Sequence, residues 1–247
     1  MEIVRPQNVP PQTPAFLKAL LGHQNRALAT LVIVAPLMAA MGYALQRFVL
    51  TRTIGDDILP PLLVTFGMAV IIQNGLVTVF STNALRLPAG KLETASLAVG
   101  GINLGVLPLL TLGVAVALIA GLEFLFAKTK TGRAFRATSD DPQMATAIGV
   151  RTAHIFGLAM ALCLATVAVA GVFLAMRSNF DPFSGPARLL FGFEAVIIGG
   201  LGSFWGTLAG GLILGVAQSL GAQISPQVQI LVGHIVFFVI LVVRPRG

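Results

Sequence analysis

Four unbroken apolar runs constrain this chain more than any other feature: Ala27 to Phe48, Leu59 to Phe80, Leu104 to Phe126 and His154 to Met176. Each matches the roughly 20 residues that a helix needs to cross a hydrocarbon core of about 30 Å. Two further apolar blocks close the chain, Phe191 to Leu220 and Ile224 to Val243. Lipid offers no water to satisfy backbone N–H and C=O groups, so only helices and closed barrels span it, and these runs are too long and continuous for barrel strands. The expected fold class is all-α, a polytopic transmembrane helical bundle of about five full spans plus a broken, re-entrant segment near residues 191–203. Composition agrees: charged residues are 10% of the chain and the mean hydropathy is +0.90, against about 25% charged residues in soluble domains.

Charge sets the expected orientation. The net charge of +7 lies mostly between the apolar blocks, without the aromatic-interleaved patch that grips nucleic acid, so a membrane and no nucleic acid is the implied partner. Lys128, Lys130, Arg133, Arg136 and Arg151 crowd the linker from Ala127 to Ala153, and Arg244 and Arg246 end the chain. The positive-inside rule puts both in the cytoplasm. That requires one more reversal than a single span through residues 191–220 allows.

The stretch FGFEAVIIGGLGSFWGTLAGGLILGVAQSL (191–220) supplies it. Thirty helical residues would overrun the core, and Gly199, Gly200, Gly202 and Ser203 weaken its middle. The expected element is a short helix through Phe191 to Ile198, a reversal at GGLGS and a return through Phe204 to Leu220. Breaks of this kind line substrate paths in transporters. The four-residue recurrence of Gly202, Gly206 and Gly210, and of Gly211 and Gly215, also suits close helix packing. The glycine spacing is not a dinucleotide fingerprint, because no strand precedes it.

Polar residues inside spans carry the remaining signal. Gln73 and Asn74 lie just past the middle of the second span and His234 in the last; each needs a hydrogen-bonding partner and serves either as interhelical glue or as a substrate contact. Glu194 sits at the mouth of the broken segment, which implies a wet vestibule or a cationic partner such as Arg188.

The linker AKTKTGRAFRATSDDPQMATAIGVRTA (127–153) contains the grammar of a short helix: Asp141 as N-cap, Pro142 at the first helical position, Gly149 just past the end. Met144, Ala147 and Ile148 share one face, fit to enter a partner's groove or to lie on lipid. TGRAFRATSDDPQMATAIGV, a following span, FEAVIIGGLGSFWGTLAGGLILG and a terminal VVRPRG resemble the permease subunits of bacterial branched-chain amino acid ABC importers, in particular the shorter of the two paired permeases. The resemblance runs from about Ala27 to the end.

It implies an importer in the bacterial inner membrane built from two permeases, a heterodimer, with cytoplasmic ATP-binding subunits and a periplasmic or extracellular substrate-binding protein. It also implies that the helix Pro142 to Ile148 is the coupling helix, with Arg133, Arg136, Asp140, Asp141 and Gly149 around it at the ATPase. The expected gate is Glu194, Gly199, Gly200, Gly202 and Ser203 with Gln73, Asn74 and His234.

The organisation expected is a Pro-rich segment over residues 1–26, poorly ordered, and a permease domain over 27–247 with its coupling loop at 127–153. Similar permeases begin with further apolar segments and an NFAHG-like motif that this chain lacks, so a truncated, non-transporting fragment is one alternative. A urea or short-amide permease is another. An intramembrane enzyme is the third: Ser184 has no nucleophile motif and the three histidines lack metal-ligand spacing. The only Gly-Lys pair, Gly90-Lys91, is not part of a phosphate-binding loop. No catalytic residue, metal or cofactor is therefore expected, and ATP hydrolysis belongs to a separate subunit.

Overall fold

The computed structural model describes residues 26–53, 59–88, 95–99 and 102–243. The Pro-rich segment, the basic tail and residues 54–58, 89–94 and 100–101 lie outside these. The described elements are α1 (Arg26–Phe48) followed by a 3-10 turn (Leu50–Arg52), α2 (Leu59–Phe80), β1 (Ser96–Val99), β2 (Ile102–Gly105), α3 (Val106–Lys128), α4 (Lys130–Asp140), α5 (Pro142–Ala147), α6 (Thr152–Arg177), α7 (Ser184–Gly199), α8 (Phe204–Ala222) and α9 (Pro226–Val243).

Among the described residues six helices, α1, α2, α3, α6, α8 and α9, are long and apolar enough to cross a membrane. Five coincide with the five full spans read from the sequence, and α8 is the return arm of the broken segment. The protein is thus an all-α, multi-pass membrane protein.

Two assemblies of helices are joined through α3. In the first, α1 lies along α6, drawn close by glycines: a Cβ on Gly42 would stand 2.7 Å from the Met160 carbonyl oxygen, and one on Gly157 2.7 Å from the Tyr43 ring. Tyr43 also shares a 2.8 Å hydrogen bond with His154 Nδ1. Leu107 of α3 packs against Val169, Val172, Phe173 and Met176 of α6, with Leu31 and Ala35 of α1 covering the cluster. In the second assembly α7, α8 and α9 pack together, and α8 touches α3. The helix α2 joins neither: it has no buried residue.

The sequence reading lacks one element. SLAV and INLG pair as an antiparallel hairpin, with Ser96 opposite Gly105 and Val99 opposite Ile102. The Gly-Gly between two alternating runs is the signal for such a turn. Nearby, Leu85 and Phe180 exchange both backbone hydrogen bonds at 2.9 Å, and Leu87 N–H donates to the Ala175 carbonyl at 2.9 Å. The segments leaving α2 and α6 are thereby stitched together at the end opposite the linker.

Candidate functional site: a glycine hairpin seated on the linker

The broken segment is a helical hairpin. Its turn is Gly200–Ser203, where Gly200 (φ +86°) and Gly202 (φ +94°) occupy the left-handed half of backbone space that glycine adopts without steric cost. Ser203 then caps α8, its Oγ accepting from Gly206 N–H at 3.0 Å. Beyond the turn the two arms meet backbone to backbone. A Cβ on Gly199 or Gly206 would collide with the other's main chain, and one on Gly210 would collide with the Ala195 carbonyl. Pairing of 199 with 206 and of 195 with 210 defines an antiparallel packing that any larger side chain would force apart. Gly211 and Gly215 face open space instead, so within this chain they make no close approach.

The reversal falls at GGLGS as the sequence indicates, but the entering arm is longer than expected. It begins at Ser184 and has 16 residues, about 24 Å of helix, a little short of a hydrocarbon core of roughly 30 Å. Its start is fixed locally: Asp181 Oδ1 accepts from Phe183 N–H at 2.7 Å, and Ser184 Oγ accepts from Asp181 N–H at 3.3 Å. Pro186 then sits in the first turn, where its missing N–H is harmless. The turn lies at the linker end of α3. There Phe204, the first residue of α8, meets Phe126 with ring centroids 5.3 Å apart.

Glu194 of α7 is buried, only 2% exposed. Its partner is His234 of α9 rather than Arg188: Oε1 hydrogen-bonds His234 Nδ1. Oε2 has no hydrogen-bond partner. Phe191, one turn before Glu194, stacks on the His234 ring with centroids 5.6 Å apart and planes 8° from parallel. The pair therefore closes the contact between the hairpin and α9. The dependence is one-sided, because the His234 side chain is 36% exposed whereas removing it would leave the buried Glu194 carboxylate without a partner.

The linker contains two helices where the sequence reading has one. Asp141 caps α5 as expected, its Oδ1 accepting from Gln143 N–H at 2.9 Å and Met144 N–H at 3.0 Å. Pro142 is the first helical residue, and Gly149 follows the C-cap at φ +89°. Met144 is 67% and Ile148 77% exposed, and Ala147 lies exposed beside them. The unexpected element is α4. Gly132, Phe135 and Thr138 form its buried face, while Arg133, Arg136 and Asp140 point outward. Their three-residue spacing is the signal that would have found it. Gly132 seats α4 directly on the end of α3, since a Cβ there would collide with the carbonyls of Leu125 and Phe126. Phe135 stacks on Phe126, centroids 5.0 Å apart and planes 22° from parallel.

Gln73 and Asn74 are not brought to the hairpin. They lie on the unpacked α2, where Asn74 Nδ2 donates back to the Val70 carbonyl at 2.8 Å. A groove of about 520 Å³ runs instead between α3, α6 and α8, bordered by Thr111, Thr166, Thr207, Gly211 and Arg177 among apolar side chains. The three threonine hydroxyls each donate to a carbonyl of their own helix or its cap. Ser184 is committed to its turn and His154 to Tyr43, and among the described residues no cluster of His, Cys, Asp or Glu could hold a metal ion.

A family model described as the permease component of the branched-chain amino acid transport system matches residues 13–244. The chain is 28% identical over 226 residues to the high-affinity branched-chain amino acid transport system permease protein BraD of Pseudomonas aeruginosa, covering 90% of this chain and 73% of BraD. It is 28% identical over 219 residues to LivH of Salmonella typhimurium, covering 85% of this chain and 70% of LivH. A shorter stretch of 114 residues is 34% identical to the autoinducer 2 import system permease protein LsrC of Escherichia coli O9:H4, covering 46% of this chain and 32% of LsrC. No solved structure matches. With a family match over nearly the whole chain and a polytopic helical fold to go with it, this chain belongs to the permease component family of branched-chain amino acid transport systems.

Proposed function

We propose that this chain is one permease subunit of an ATP-driven importer that carries a branched-chain or other small amino acid inward across the bacterial inner membrane. It works with a second permease, cytoplasmic ATP-binding subunits and an outer substrate-binding protein. The linker end faces the cytoplasm, in keeping with the cations of residues 127–153.

The observation that carries this reading is α5, a capped helix that projects Met144 and Ile148 away from the protein. Exposed apolar side chains on a short, rigid helix suit a groove on a partner, and Arg133, Arg136 and Asp140 flank it with charge. Transport follows as alternating access: ATPase closure and binding-protein docking favour different arrangements of the bundle, each by its differential affinity. Glu194, His234 and the Gly199, Gly200, Gly202 and Ser203 turn form the moving gate, with Gln73 and Asn74 completing the path when α2 is partnered.

The test is co-expression with the neighbouring transporter subunits, purification in mild detergent and assay for a co-eluting ATPase. Met144→Asp places a charge in the apolar contact, so the ATPase should be lost from the mutant and retained by the parent. Co-elution unaffected by the substitution would remove α5 from the interface, and no ATPase with either chain would favour a non-transporting fragment. The stretch similar to LsrC supports a second substrate reading, a small solute that is not an amino acid, alongside urea or short amides. Uptake of radiolabelled leucine, with urea and autoinducer 2 as competitors, separates them.

A further inference from the structure

We infer that Phe126 is a positioning residue that couples the linker to the glycine hairpin, by way of its ring contacts with Phe135 and Phe204. The inference rests on the reading of α5 as the contact for the ATPase.

The connection can be followed atom by atom. Asp141 ends α4 and caps α5, its N–H donating to the Ala137 carbonyl at 3.2 Å while its side chain accepts from the first amides of α5. The two linker helices thus share a residue. A displacement of α5 passes into α4, which cannot slide independently because Gly132 is pressed against the carbonyls of Leu125 and Phe126. Phe135, buried at 7% exposure, lies face to face with Phe126. Phe126 in turn leans on Phe204 at 55°. Phe204 begins α8 immediately after the turn whose Gly200 and Gly202 are in left-handed conformation.

What lies beyond the turn decides where the motion goes. The arms are interlocked at Gly199, Gly206, Gly210 and Ala195, where the backbones touch and no side chain is available to yield. Close-packed elements of this kind move as units. A push at Phe204 on α8 therefore displaces the hairpin as a body and carries with it Glu194 on the other arm, α7, against His234 of α9. The three rings are the bridge between a surface that meets a partner and a helix pair that carries a buried carboxylate.

Spatial continuity alone does not demonstrate coupling, so the experiment reads the turn directly. Leu201, in the turn, is 83% exposed. With Cys163, the one cysteine, changed to Ser, Leu201→Cys gives a single site whose maleimide labelling rate is measured in the ATPase-bound complex, with ADP and with a non-hydrolysable ATP analogue. Site-to-site couplings are typically about 5–150-fold, and the two nucleotides should change the rate within that range. Phe126→Leu keeps apolar bulk but removes the ring, and should reduce the difference to less than about twofold with the ATPase still bound. Phe126→Tyr restores the ring and should restore the difference. Nucleotide-dependent labelling that survives Phe126→Leu overturns the inference, as does labelling indifferent to nucleotide in the parent complex. Failure of the ATPase to co-elute with the parent removes the functional reading itself, and this inference with it.

Discussion

The α7–α8 hairpin and α2 are both apolar and both sized for a membrane, yet they are built on opposite principles. The hairpin is held by backbone contact at glycines, two left-handed turn residues and a hydrogen bond from the buried Glu194 to α9. Helix α2 carries Gln73 and Asn74 in a largely apolar run and has nothing buried along its length. In water such a helix would be a defect; in lipid it is a span whose polar residues still require partners, because tails cannot hydrogen-bond. The hairpin is complete within the chain. The shaft of α2 buries nothing.

The comparison breaks first, and most visibly, at Glu194 and His234. His234→Ala leaves the buried Glu194 carboxylate without its one hydrogen-bond partner, and stranding a buried charge in this way typically costs about 3–5 kcal/mol; a large fall in the thermal midpoint in detergent is expected, with Glu194→Gln milder. A midpoint unchanged by His234→Ala would mean the contact between α7 and α9 does not hold the hairpin. The glycines sharpen it next. Gly210→Ala drives a methyl group into the Ala195 carbonyl and should destabilise by about 1–3 kcal/mol, whereas Gly211→Ala enters open space and gains helix propensity. Equal effects at the two neighbours would contradict the packing. The smallest effect belongs to α2: changing Gln73 and Asn74 together to Leu should leave the isolated chain within about 0.5 kcal/mol of the parent. In the assembled complex the same change should weaken association by about 0.6 kcal/mol per interhelical hydrogen bond, measured by the detergent concentration needed to dissociate it. Destabilisation of the isolated chain would show α2 to be packed internally after all.

These regions were also unequally legible in the sequence. Apolar length alone gives the spans, because each must match the thickness of the bilayer. The reversal at GGLGS follows from glycines inside a run too long for one crossing, and the α5 boundaries follow from Asp141, Pro142 and Gly149, whose chemistry is local. What could not be read is pairing over distance. Nothing adjacent to Glu194 points to His234, 40 residues on, rather than to Arg188. The length of the entering arm depends on an aspartate turn upstream of the apolar block, where hydropathy has no signal. Helix α4 hides because a basic, polar linker reads as loop until the spacing of Gly132, Phe135 and Thr138 is weighed as a face. The Phe126–Phe204 contact joins elements that only the folded chain brings to the same level.

The strand-like bonds between Leu85 and Phe180 have a mechanical meaning for α2. They fasten the chain to the α6 side a few residues after Phe80, and the intervening stretch of Ser81 to Ala84 extends at most about 14 Å. A helix with an unpacked shaft is therefore not adrift: it is a boom with a short stay at one end. Its other end follows the 3-10 turn after α1 by only six residues, 53–58, so the shaft is confined between two short connections. A helix held in this way has less orientational freedom to lose on packing than an independent one.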